Sequence, residues 1–90
     1  LLRKEDVVVV HLNDSQPGPI DELEDLVRTL PMETGILDVA GFLQAVKALG
    51  YDGPVTIEPF SKRLREMSAD DAVRETAAAM DKSWQAAGLA

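Results

Sequence analysis

Residues 6–12, DVVVVHL, are apolar and β-branched with no polar alternation, the pattern of a strand covered on both faces as in a parallel sheet. The run stops at NDSQPGP, residues 13–19, a cluster of turn formers. Beyond it, IDELEDLVRTL places Ile20, Leu23, Val27 and Leu30 at helical spacing, with acids early and Arg28 late. That charge order suits a helix dipole and predicts a short helix inside a long loop. Val39, Phe42, Leu43, Val46 and Leu49 then mark the buried stripe of an amphipathic helix, with Asp38 as its cap and Gly50 as its left-handed stop. After the turn Tyr51-Asp52-Gly53, the residues Val55, Thr56 and Ile57 lead to Glu58 at the end of a second strand. A polar connection follows, and then a last helix. There Ser68 with Asp71 resembles a capping box, and Val73, Ala77, Met80 and Trp84 form one face.

Strand, long loop, helix, strand, helix is an α/β order, and two buried strands separated by a helix imply a parallel pair with a right-handed crossover. Two strands cannot cover themselves and both helices, so further strands are expected from a longer chain or from a partner. A chain of 90 residues buries only about 60 to 65% of its unfolded surface, which sharpens that expectation. Leu1 in place of methionine points the same way, toward a chain that begins inside a longer reading frame.

Composition narrows the chemistry. The absence of cysteine excludes disulfide scaffolds, thiolate zinc sites and cysteine nucleophiles together. With 16 acidic against 9 basic residues and a net charge of -7, the surface field repels phosphodiester backbones, and nucleic acid is not an expected partner. The longest apolar run, residues 7–10, is far too short to span a bilayer, and the N-terminus lacks a signal-peptide layout. The expectation is no membrane and a cytoplasmic location.

What remains is histidine and carboxylates. In parallel α/β architectures the ligand site lies beyond the carboxyl ends of the strands, and His11 and Glu58 each stand at such an end. If the two strands are adjacent and in register, an imidazole nitrogen and a carboxylate oxygen converge there as half of a divalent metal site. The other reading of His11 is a polar cap bonded to backbone. For Glu58 it is a solvated carboxylate at a loop edge, although glutamate is depleted in strands and here sits between Ile57 and Pro59-Phe60. Arg28 is otherwise a helix-end cation acting on the dipole or on Glu24. Asn13 and Asp14 are either groups that orient His11 or plain turn formers. Trp84 reads as packing, and Tyr51 as a structural residue of its turn.

The stretches VVVVHLND, RTLP and GFLQAVKALGYDGPVTIEPF, with the helix after them, resemble the C-terminal part of the xylose isomerase-like TIM barrels. These are sugar isomerases and epimerases related to tagatose and psicose 3-epimerases and to inosose dehydratase. GYDGPVTIEPF is the most specific part. The resemblance covers almost the whole chain and implies one partial domain over residues 1–90, the C-terminal quarter to third of a (β/α)8 barrel comprising its last two βα units. It implies that His11 ends the seventh strand as a metal ligand. It implies that Glu58 ends the eighth, as a metal ligand and as one of two acid/base carboxylates. Arg28, in the spacing R-x-x-P with Pro31, is implied to contact substrate oxygens. Two features depart from the family: the stretch from His11 to Arg28 is longer than in the compact epimerases, and Met32 stands where a glycine commonly follows the proline.

The implied cofactor is a divalent ion, Mn, Mg, Co or Zn, and the implied partner a small sugar or polyol. The implied reaction is proton transfer through an enediolate beside a metal-polarised carbonyl. The second carboxylate, and an aspartate from the middle strands, are absent from these residues. A barrel takes about 250 residues, so the full-length parent is expected to be the isomerase or epimerase and the isolated chain to be inactive. Dehydratase chemistry on the same scaffold stays open, as does an oligomer. The rivals are a zinc-dependent abasic-site nuclease of the same superfamily, disfavoured by the acidic balance, and a non-catalytic βαβα module whose sheet edges pair with a partner.

Overall fold

In the computed structural model, which describes residues 2–19, 21, 23, 28–57 and 61–89, the two expected strands lie side by side and run parallel. After a 3-10 turn at Lys4–Asp6 come strands β1 (Val10–Leu12), β2 (Asp14–Ser15) and β3 (Arg28–Thr29). Helix α1 (Val39–Leu49), strand β4 (Val55–Ile57) and helices α2 (Lys62–Arg65) and α3 (Ala69–Ala86) complete the order. β1 and β4 pair with Val10 opposite Val55, His11 opposite Thr56 and Leu12 opposite Ile57. With α1 between them in sequence, they form the expected βαβ unit.

Local chemistry explains the helices. The Asp38 carboxylate accepts the Gly41 N–H at 3.0 Å and so starts α1. Gly50 stops it at φ +91°, where a Cβ would be penalised. The Ser68 hydroxyl accepts the Asp71 N–H at 3.2 Å at the head of α3, and Asp70 and Asp71 place negative charge at the positive end of its dipole. The Tyr51 hydroxyl donates to the Pro54 carbonyl at 2.6 Å, closing the turn into β4.

Val10 and Leu12 of β1 meet Val39 and Leu43 of α1 and Ala87 beyond α3, and Val55, Met80 and Trp84 pack around them. Both helices therefore cover the same face of the parallel pair. A second, antiparallel pair sits beside this layer, β2 with β3, with Asp14 opposite Thr29 and Ser15 opposite Arg28.

Five expectations are corrected. The strand expected over residues 6–12 shrinks to Val10–Leu12 and is covered on one face alone: Val8 is 85% exposed and Val9 45%. A fully apolar run needs a layer on each side, and here the helices supply one. The helix expected over residues 20–30 is not what carries Arg28. Arg28 and Thr29 form β3, because pairing with β2 satisfies their backbone groups; Ile20 and Val27 of the expected stripe lie outside the described residues. Phe42 is half exposed instead of buried, and the buried side of α3 is turned from Val73, 67% exposed, toward Ser83. Ser83 fits there because its hydroxyl donates back to the Ala79 carbonyl at 2.7 Å. The polar connection after β4 contains α2, capped by the Ser61 hydroxyl accepting from the Leu64 N–H.

Candidate functional site

β1 alternates strictly. Val10 and Leu12 are buried toward the helices while His11 between them is exposed, on the opposite face of the strand. Its register partner Thr56 is likewise exposed, between half-buried Val55 and Ile57. The imidazole therefore emerges on the side of the sheet that neither helix covers. With Leu12 and Asn13 it lines an open groove of about 380 Å³, whose remaining lining is Leu37 and Asp38, just before α1, and Val39 and Phe42 from its first turn. Glu58, expected to face the same site, lies outside the described residues. Among the described residues no three His, Cys, Asp or Glu side chains gather closely enough to hold a metal ion.

Asp14 is 1% exposed, and its carboxylate is saturated by backbone donors. One oxygen accepts the N–H of Ser15 at 2.8 Å and of Leu37 at 3.0 Å. The other accepts that of Gly35 at 2.8 Å and of Thr34 at 3.3 Å. Burial alone would push this carboxyl up, but the N–H groups of Leu37, Ser15 and Gly35 outweigh it and hold the group below its ordinary value of 3.8. The Thr34 hydroxyl adds a second tie, donating to the Ser15 carbonyl at 2.6 Å.

Arg28 lies in β3 opposite Ser15, half buried, so the structure brings it to the segment that follows His11. His11, Asn13, Asp14 and Arg28 thus share the loop cluster beyond β1. The residues that sequence reasoning missed are Thr34, Gly35 and Leu37, whose backbone meets Asp14; the adjacent Thr and Gly were a turn signal there. Also missed was the bridge by which Arg63 of α2 joins Glu33 of this loop to Glu75 of α3.

The profile of the family described as xylose isomerase-like TIM barrel matches residues 1–83. Among curated proteins, L-ribulose-5-phosphate 3-epimerase UlaE of Escherichia coli O1:K1 / APEC is 31% identical over 84 residues, 93% of this chain and 25% of that protein. Inosose isomerase of Halalkalibacterium halodurans is 29% identical over 68 residues, 76% of this chain and 24% of that protein. The chain spans about a quarter of the length of these relatives. Among solved structures, a crystal structure of the IOLI protein with a binding zinc atom superposes with a TM-score of 0.82 over 91% of this chain and 29% of that one. The shared identity is 23%, and the likeness establishes the fold.

Proposed function

The chain belongs to the xylose isomerase-like TIM barrel family, and from that premise we propose that it forms the last two βα units of a divalent-metal-dependent sugar isomerase or epimerase. The observation that carries this reading is the parallel β1–β4 pair, with helices on one face and His11 and Thr56 exposed on the other. In a barrel the uncovered face is the interior, and the strand ends carry the chemistry. The curated relatives act, by their names, on a pentulose phosphate and on inosose, which supports a small sugar or polyol as the substrate class.

The donor chemistry fits a divalent ion in part. An exposed imidazole beside the strand end is a nitrogen ligand, and Glu58 follows Thr56 by two positions, the spacing at which a strand returns to the same face. His11 and Glu58 would hold the ion, and the remaining ligands would come from other strands. When bound, the ion supplies Lewis-acid polarisation of a carbonyl and its neighbouring hydroxyl. Glu58 then moves a proton on or off the carbon between them, with its partner carboxylate supplied by another strand. Arg28 binds substrate oxygens from β3. Because these parts are distributed around a barrel, the 90 residues alone are inactive in this reading.

The test is calorimetric titration of the complete barrel containing this chain with Mn²⁺ or Zn²⁺. His11→Ala should weaken binding by about tenfold or more. An unchanged isotherm removes His11 from the site.

A further inference from the structure

We propose that Asp14 is a positioning residue: its carboxylate sets where β2 and the loop at residues 34–37 stand, and so presents His11 and Arg28 to one substrate. This rests on the reading of His11 as a metal ligand and of Arg28 as a substrate contact.

An ionised carboxylate has about four acceptor sites, and all four hydrogen bonds accepted by Asp14 come from backbone N–H groups. A turn-forming aspartate ordinarily serves donors one to three residues away. Here three of the four donors lie 20 to 23 residues downstream, so the side chain ties distant segments together. Those segments matter. Asp14 is three residues beyond His11, and Leu37, held through its N–H, lines the same groove as His11 and Asn13. On its other side, β2 pairs with β3, which places Thr29 opposite Asp14 and Arg28 opposite Ser15. One buried group thereby connects the metal-ligand strand, the arginine strand and the groove wall. With its acceptor sites saturated and its exposure at 1%, it acts as a template and not as a proton carrier.

Asparagine is the sharp variant, because its amide would turn one NH2 toward N–H groups that need an acceptor. The experiment uses the complete barrel containing this chain, isotopically labelled, with Zn²⁺ alone as the probe, followed at the His11 ring nitrogens and at the Arg28 side-chain N–H. In Asp14→Asn, amides of α1 and α3 should keep their exchange protection while those of Thr34 and Gly35 exchange about fivefold faster or more. The Zn²⁺ midpoint at His11 should rise by about tenfold, and the Arg28 signal should move. Faster loop exchange with the His11 midpoint and the Arg28 signal unmoved overturns the proposal, since Asp14 would then only stitch the loop. If Zn²⁺ leaves His11 unmoved in the unaltered barrel, the metal reading fails, and the Arg28 signal alone decides the positioning role. Should Asp14→Asn lose α1 protection, Thr34→Val removes the hydroxyl tie to Ser15 and leaves the four backbone N–H groups on the Asp14 carboxylate in place. Smaller shifts at His11 and Arg28 are expected there, and none would again overturn the proposal.

Discussion

Asp14 concentrates four backbone N–H bonds on one buried carboxylate, so its removal strands several donors at once. Asp14→Ala should cost about 2 to 3 kcal/mol, less than four orphaned donors would suggest, because the loop at residues 33–36 is exposed and water can replace some bonds. The carboxyl is held below its ordinary value of 3.8, so its stabilisation is complete above that value and is lost as pH falls through the lower, folded value. Urea melts across the acid range should show the parent losing more stability than Asp14→Ala. Met32 presents the opposite case. Its φ of +69° is the one positive value at a non-glycine position among the described residues, which costs a side chain with a Cβ about 1 to 2 kcal/mol. The methionine persists because it packs against the core. Met32→Gly, which restores the glycine common after this proline in the family, relieves strain but gives up that packing and should stay within about 1 kcal/mol of the parent. Met32→Val, β-branched, should lose about 2 kcal/mol or more in urea melts at neutral pH.

At the scale of elements, α1 shows what a short window of sequence can specify. Its cap, its stop and most of its stripe lie within thirteen positions, from Asp38 to Gly50, and each acts on neighbours in sequence. Gly50→Ala should therefore cost about 1 kcal/mol by chemical denaturation, the penalty of a Cβ at φ +91°. The parallel β1–β4 pairing was legible for a related reason: two short apolar runs around a helix leave a parallel pair as the simplest arrangement. The region between them was not. Arg28 and Thr29 follow a sequence with helical spacing and charge order, yet they pair with Asp14 and Ser15 thirteen to fifteen residues upstream. Such a partner is invisible to a local pattern, and tertiary pairing overrides weak helix propensity. The site divides in the same way. The place of His11 near the end of its strand was legible from the apolar run before it, and its exposed face follows from alternation. Asp14 reads from the sequence as a group that orients His11 or as a turn former, and nothing in residues 13–19 announces that three of its donors lie at 34, 35 and 37.

For the whole molecule the decisive fact is that, among the described residues, helices cover one face of a two-stranded parallel pair and leave the other face and both flanks open. At the β1 flank Val8 is 85% exposed, with Leu37 and Phe42 near 50%. At the β4 flank Val73, 67% exposed, borders an apolar groove of about 400 Å³ lined by Ile57, Leu64 and Ala77. Among the described residues each strand of the pair has a single neighbour, so each presents an edge that in a complete barrel would be paired. Folded monomers rarely keep apolar surface of this extent beside open strand edges. The isolated chain should therefore self-associate, and its weight-average sedimentation coefficient should rise with concentration. The net charge of -7 opposes this at low salt, so added salt should strengthen association by screening it. Placing lysine at Val8 and Val9 distinguishes edge pairing from general stickiness. A lysine pair suppresses strand addition locally, whereas a lysine at Val73 acts on the opposite flank and should weaken association only if both flanks take part. A monomer that melts cooperatively at every concentration would mean that the two βα units are self-sufficient, contrary to the open faces seen here.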